Sequence, residues 1–123
     1  MSSVTRSLVV KATAGLDRPE LVNQAFTVAA SGIAAGADVS LWLTGEAAWL
    51  AVPGRAAQLE LEHAAPLADL LEAVLEGGAV TVCTQCAARR GLTEGDLLPG
   101  VRVAGSAVFV EEVLAPRTQA LVY

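Results

Sequence analysis

The stretch VTVCTQCAARRGL, residues 80–92, passes directly from a β-branched run into helix-forming residues. Ala79 to Val82 predicts a strand, Cys83-Thr84-Gln85-Cys86 follows at its end, and the next residues predict a helix that Gly91 stops. In open α/β sheets, sites form beyond the carboxyl ends of the strands. This stretch therefore predicts an α/β fold and, within it, the place of a site.

The alternation of strand and helix continues in both directions from this stretch. The predicted strands are Ser7–Ala12, Asp38–Thr44, Ala79–Val82, Val101–Val103 and Ala120–Tyr123. Helical periodicity lies between them, and parallel neighbours require such crossovers. The chain, residues 1–123, is at the usual length of one domain, so we expect a single α/β domain with a parallel sheet.

The helices carry recognisable boundaries. In the first, Asp17 is the predicted N-cap, Pro19 fits the first turn and Gly36 the C-terminal cap. Its buried stripe is predicted at Val22, Phe26, Ala29 and Ile33. A second helix, 67–75, ends at a Gly-Gly pair, and a last one is predicted at 106–114. Residues 46–49 predict a short apolar helical segment and 53–55 a turn, while 58–63 fit either strand or loop.

The composition excludes several classes of protein. Hydrophobic residues make up 54% of the chain and charged residues 17%, with a net charge of -5. This argues against disorder, and the acidic balance argues against nucleic acid or an anionic membrane as partner. The longest apolar runs are interrupted at Asn23 and Gln24 and at Gly45 and Glu46, so no membrane span is predicted. The apolar run at 8–10 is too short for a signal peptide, and we expect a cytoplasmic protein.

Because no membrane span is predicted, the large fraction of hydrophobic residues must be buried elsewhere. A parallel sheet covered on both faces accounts for part of it, and a permanent interface between subunits accounts for the rest. Trp42 and Trp49 are predicted to anchor either the core or such an interface, because tryptophan is favoured in both. We therefore expect a homo-oligomer.

Both cysteines lie in one tetrapeptide, at positions 83 and 86. A helix N-terminus stabilises a thiolate, and Arg89 and Arg90 would add to this if they turn toward the site. Four interpretations compete. A zinc site lacks ligands beyond His63, and a structural disulfide is unusual in a cytosolic protein. A thioredoxin-like dithiol and a cysteine that carries sulfur as a persulfide are both consistent with the pattern. We expect no metal or cofactor.

Other residues are predicted to line a pocket beside Cys83 and Cys86 because they follow neighbouring strands. These candidates are Thr13, Gly15, Thr44, Gly45, Glu46 and Arg90. Glycines in this set also fit ordinary turns, and Arg90 also fits a solvated helix end. His63 fits a surface or capping position, and no Ser/His/Asp set or phosphate loop is detectable.

Three segments carry a resemblance to a known family: VTVCTQCAARRGL, the TEGDLLPGVRV stretch after it, and AGADVSLWLTGEA at residues 35–47. In order and spacing they resemble the DsrE/DsrF-like family, with its YchN-like and TusD-like members, over roughly residues 6–123. YchN-like members have a CxxC just ahead of an arginine-glycine pair, as here at Arg90 and Gly91. TusD-like members match at Cys83 only, so the resemblance makes Cys83 the sulfur-accepting residue and Cys86 its companion.

The resemblance implies a three-layer α/β/α, Rossmann-like fold with about five parallel strands. It also implies a trimer or hexamer with cysteines at subunit clefts, and a sulfur donor or acceptor protein as partner. The expected function is a sulfur carrier or sulfurtransferase that uses a persulfide. The alternatives are a dithiol-disulfide oxidoreductase and a non-catalytic oligomeric binding module.

Overall fold

In residues 5–123, which the computed structural model describes, five parallel strands form one sheet. The strands are β1 (Ser7–Ala12), β2 (Asp38–Leu43), β3 (Ala79–Cys83), β4 (Arg102–Ala104) and β5 (Thr118–Val122), in the order β4-β3-β2-β1-β5. Every crossover contains a helix or a 3₁₀ segment, as parallel pairing requires. The expected α/β fold with five parallel strands is confirmed.

Four α-helices connect the strands in this part of the chain. They are α1 (Pro19–Ala34), α2 (Leu67–Gly77), α3 (Thr84–Arg89) and α4 (Ser106–Val113). Three short 3₁₀ segments lie between these elements, at Gly45–Ala51, Ala56–Gln58 and Glu94–Asp96. None of the helices within residues 5–123 is both long and apolar enough to cross a lipid bilayer.

The two faces of the sheet differ in what covers them. Side chains alternate along a strand, so Leu41 and Leu43 point to one face and Ser40 and Trp42 to the other. The first pair belongs to the main apolar core with Phe26 of α1. The second pair contacts α4, through hydrogen bonds to a glutamate and through an aromatic ring. The sheet thus forms the middle of three layers, as the resemblance implied.

Most predicted elements are confirmed within one or two residues. Strand β1 matches its prediction, Pro19 opens α1, and Gly36 and Ala37 close α1 with hydrogen bonds to Ile33 and Gly32. The last two strands are displaced by one or two residues from their predicted ranges. Of the ambiguous residues 58–63, Gln58 ends a short 3₁₀ segment and 59–63 form an irregular loop, so the loop alternative is the right one.

The predicted cap of α1 is wrong. Arg18 occupies the N-cap position and makes no side-chain cap bond. The Asp17 carboxylate instead accepts a hydrogen bond from the Gly15 N–H at 2.9 Å. Asp17 lies one residue before the N-cap, and its carboxylate bonds the turn in place of the first N–H groups of the helix.

The tryptophans have separate positions. Trp42 is 1% exposed and packs beneath α4, so it is a core residue. Trp49 is half-buried in the 3₁₀ segment after β2, with the Arg55 guanidinium 4.8 Å from its ring centroid. Only Trp49 keeps surface that another subunit could cover.

Candidate functional site

The loops that follow β1, β2 and β3 meet at the carboxyl edge of the sheet. Gly15 packs so closely on the loop after β2 that a Cβ there would lie 2.4 Å from the Glu46 carbonyl oxygen. Gly45 lies against Thr13 in the same way, since its Cβ would be 2.9 Å from the Thr13 oxygen. The two predicted glycines therefore allow the strand ends to converge beside the cysteines.

Cys86 lies in the first turn of α3 and connects that helix to the end of β2. Its thiol is free, the residue is 8% exposed, and its Sγ accepts a hydrogen bond from the Gly45 N–H at 3.2 Å. Because the sulfur is the acceptor in this bond, its own S–H is free to donate elsewhere. Cys86 is thus an oriented, enclosed thiol.

Cys83 is the last residue of β3 and the N-cap of α3. It is free and half-buried, while Thr84 and Gln85 beside it are exposed. No cap hydrogen bond of normal geometry joins its side chain to the helix, which is only six residues long. Cys83 therefore keeps exposed surface, in contrast to the buried Cys86.

Opposing influences act on the acidity of Cys83. Burial raises its pKa, but the N–H groups of Cys86 and Gln85, the Cys86 thiol and the Lys11 ammonium together lower it more. The net effect is a pKa below the ordinary value for a cysteine. A larger thiolate fraction at neutral pH makes the sulfur a better nucleophile. Cys83 therefore stays the predicted nucleophile of the site.

The two arginines of the tetrapeptide's helix have different roles. Arg90 turns toward the strand ends, pairs with the Glu46 carboxylate at 2.9 Å and donates to the Cys86 carbonyl oxygen at 3.1 Å. Arg89 is exposed. Since Glu46 neutralises Arg90, this arginine fixes the loop after β2 to α3 and is not a free anion site.

The two predicted threonines use their hydroxyl groups to hold strand ends. Thr13 donates to the Tyr123 carbonyl oxygen at 2.7 Å, and Thr44 donates to the Ala12 carbonyl oxygen at 3.1 Å. Both belong to the edge where the cysteines lie, but their donor groups are engaged with backbone. Their part in ligand binding stays a prediction.

Sequence reasoning missed Lys11, which lies within β1 on the side of the sheet that α4 covers. The available signal was a charged residue inside an otherwise buried strand. His63, by contrast, is exposed in the 58–63 loop with a φ of 58°. Across residues 5–123, no three His, Cys, Asp or Glu side chains are placed to hold a metal ion.

Comparisons with known proteins give the family and the fold. The sequence model of the DsrE/DsrF-like family matches residues 7–115. The structure is similar to the YchN protein from E. coli, with a TM-score of 0.79 at 17% identity, covering 98% of this chain and 100% of that chain.

Two further solved structures, of proteins of unknown function, share the fold. One is MTH1491 from Methanobacterium thermoautotrophicum, with a TM-score of 0.71 at 10% identity, covering 98% of this chain and all of that one. The other is BT1422 from Bacteroides thetaiotaomicron, with a TM-score of 0.59 at 18% identity and coverage of 95% and 94%. None of the curated proteins matches this sequence. With a family match over most of its length, the chain belongs to the DsrE/DsrF-like family.

Proposed function

We propose that this protein is a small cytoplasmic sulfur carrier or sulfurtransferase that holds a sulfane sulfur as a persulfide on Cys83. Membership of a family associated with sulfur relay supports the class of chemistry. The observation that carries the proposal is a free, partly exposed Cys83 with a lowered pKa beside a second, enclosed thiol. A cytoplasmic location fits because it keeps both thiols reduced.

The loading step is a displacement at sulfur. The Cys83 thiolate attacks the outer sulfur of a donor such as thiosulfate or a protein persulfide, and the donor's S–S bond breaks. The donor leaves with the bond's electron pair, as sulfite or as a thiolate. Cys83 then carries one extra sulfur with a negative charge. No external oxidant or reductant takes part.

Release reverses the roles. A thiolate of an acceptor protein attacks the outer sulfur, and Cys83 leaves as a thiolate. The Gly45 N–H bonds to the Cys86 sulfur, so the Cys86 S–H is free to point at Cys83. A hydrogen bond from Cys86 stabilises the departing thiolate, and this is how Cys86 assists the transfer.

Mass spectrometry tests the proposal directly. Purified, reduced protein is incubated with thiosulfate or polysulfide and the tryptic peptide containing residues 83 and 86 is weighed. We expect a gain of one sulfur atom in the wild type and in Cys86→Ala, with slower transfer from Cys86→Ala to an added thiol, because alanine has no hydrogen to donate to the departing thiolate. If Cys83→Ser gains sulfur as readily as the wild type, the persulfide is not on Cys83 and the proposal is wrong.

A dithiol-disulfide oxidoreductase is the second candidate. It is favoured by the placement of two free thiols three residues apart at the start of α3, where the Cys86 side chain is among the groups that lower the pKa of Cys83. Equilibration in glutathione buffers, followed by quenching with acid and counting of free thiols, gives the reduction potential. A pair that stays reduced at potentials near those of thioredoxin, about −270 mV, is no such oxidoreductase.

The expected homo-oligomer has a candidate surface. Helix α4 contains no buried residue, and β5 is an edge strand of the sheet. Four large apolar side chains on these elements and their ends are exposed: Val110, Leu114, Leu121 and Val122. Covering this group with other copies of the chain, in a trimer or hexamer, would remove it from water. A sulfur donor or acceptor protein would then approach the cysteine edge.

A further inference from the structure

Two of the arginines near Cys83 are paired with carboxylates, whereas Arg89 of α3 is exposed. Arg90 is paired with Glu46 in the loop after β2, and Arg102 of β4 is paired with Glu112 of α4. Within residues 5–123, the Lys11 ammonium makes no ion pair with a carboxylate. Lys11 is therefore the uncompensated positive charge on this face of the sheet.

Strand register places Lys11 on the same face as Cys83. Lys11 of β1 pairs with Trp42 of β2, and Trp42 pairs with Thr81 of β3. Side chains in register on parallel strands point to the same face, and Cys83 is two residues after Thr81. Lys11 and Cys83 are offset by two strand spacings, about 10 Å, and by two residues along the strand, about 7 Å. Their Cα atoms are therefore about 12 Å apart, and an extended lysine side chain covers about half of that distance.

The aromatic residues of α4 and β2 hold the Lys11 side chain on this inner face. Its Nζ lies 5.3 Å from the centroid of the Phe109 ring. That ring packs edge-on against Trp42, with centroids 5.2 Å apart and an angle of 84° between the planes. A cation over an aromatic face is attracted to it, so the ammonium stays beneath α4.

We propose that Lys11 is the positioning residue of the Cys83 site, whose ammonium stabilises the anionic sulfur of Cys83 first as thiolate and then as persulfide. The part of this inference that concerns the persulfide rests on the proposed function, and the part that concerns the thiolate does not. Lys11 forms no bond in the reaction, and it acts through the field of its charge. The sulfur species on Cys83 is negative both before and after loading, so the same charge favours both states.

Two observations support this role. The N–H groups of Cys86 and Gln85 and the Cys86 thiol lower the pKa of Cys83 most, and the Lys11 charge lowers it further by a smaller amount. The carboxylates that could cancel it, Glu46 and Glu112, are each bound to an arginine.

Alkylation as a function of pH tests the proposal. The rate at Cys83 is followed by peptide mass spectrometry with iodoacetamide, which is uncharged and so is not itself attracted to Lys11. We expect Lys11→Met to shift the pH profile upward and to slow alkylation at pH 7 by about twofold to fivefold. Lys11→Arg should stay within about twofold of the wild type, because it keeps the charge.

Arg89→Met is the matched control, since it removes an exposed cation from α3. It should leave the Cys83 profile unchanged. Two results would overturn the proposal: a Lys11→Met profile that matches the wild type, or a Lys11→Arg rate as slow as that of Lys11→Met. The second result would mean that the lysine acts by packing against Phe109.

A measurement on the unmutated chain avoids any folding defect of the variants. Lys11 is the only lysine in the sequence, so ¹³C-labelled lysine gives a single set of side-chain NMR signals. We expect these signals to move as Cys83 ionises and to stay flat over that pH range in Cys83→Ser. If the lysine signals of the wild type do not move as Cys83 ionises, the inference is refuted.

Neither measurement requires sulfur transfer. If Lys11→Met slows alkylation of Cys83 but the protein never gains sulfur, the persulfide function is overturned and Lys11 remains the residue that stabilises the thiolate. A sulfur adduct on Cys83 without any Lys11 effect would overturn this inference alone.

Discussion

The Gly45 N–H donates to the Cys86 sulfur across 3.2 Å, and this bond joins the end of β2 to the first turn of α3. Gly45 reaches that position with a φ of 54°, in the left-handed region. A Cβ at this residue would lie 2.9 Å from the Thr13 carbonyl oxygen. The orientation of Cys86 thus depends on a residue without a side chain in the neighbouring loop.

Replacing Gly45 by alanine should therefore affect both stability and Cys86. The left-handed backbone costs an alanine about 1–2 kcal/mol, and the contact with Thr13 adds about 1 kcal/mol or more. Urea unfolding measures the loss. We also expect faster alkylation of Cys86, because the loop must move and its N–H then leaves the sulfur.

Gly54→Ala is the control for that experiment. Gly54 has a φ of 84° but nothing lies within 4 Å of its Cβ position. It should show the backbone cost alone and leave Cys86 as it is in the wild type. Equal losses in the two variants would show that the contact between the loops contributes nothing.

This junction also shows how far the sequence could predict the site. Turn residues after successive parallel strands must meet at one edge, so the strand pattern by itself groups Gly15, Gly45, Glu46 and Cys86. The sequence could not show that Gly45 would bond a sulfur. That contact depends on how the loop after β2 packs against the start of α3, and these segments are far apart in the sequence. No local sequence pattern therefore predicts it.

The limits of sequence reasoning are clearest at Asp17 and Lys11. Asp17 is of a residue type that favours helix caps, but the helix starts one residue later than its position requires, and its carboxylate accepts from the Gly15 N–H. Lys11 becomes informative only when the register places it two strands from Cys83. Element type follows from periodicity, whereas these side-chain partners follow from tertiary packing.

Glu112 should make stability depend on pH. Burial raises the pKa of this carboxyl, but hydrogen bonds from Ser40, Trp42 and Arg102 lower it more, to below its ordinary value of 4.5. A carboxyl with a lowered pKa stabilises the fold above its unfolded-state value. That stabilisation is lost as the pH falls through the lower, folded-state value.

We expect Glu112→Gln to unfold more easily at pH 7 by about 1–3 kcal/mol, since hydrogen bonds to a charged group are lost. The difference from the wild type should shrink below pH 4.5. Glu111→Gln is the matched control, because Glu111 is exposed. Urea titrations between pH 3 and pH 7 provide the comparison, and a constant difference across that range would contradict the assignment.

The Arg90–Glu46 pair should contribute modestly to stability. The Arg90 side chain is 19% exposed and that of Glu46 49%, so water screens much of the attraction. A double-mutant cycle with Arg90→Met and Glu46→Gln should give a coupling of about 0.5–1 kcal/mol. The control cycle combines Arg89→Met with Glu46→Gln and should give no coupling free energy. A coupling of zero between Arg90 and Glu46 would show that their pair does not fix the loop after β2 to α3.

The exposed apolar group on α4 and β5 provides the test of assembly. Leu114 is 77% exposed and Val122 65%, which is costly for side chains of this kind if nothing covers them. We expect light scattering to give the mass of a trimer or hexamer for the wild type.

Leu114→Glu combined with Val122→Glu should shift the mass toward the monomer, because each carboxylate would be buried without a partner. Ala57→Glu combined with Gln58→Glu, which places the same two charges on an exposed 3₁₀ segment outside this group, should leave the mass unchanged. A monomeric wild type would mean that the apolar surface serves another partner or none.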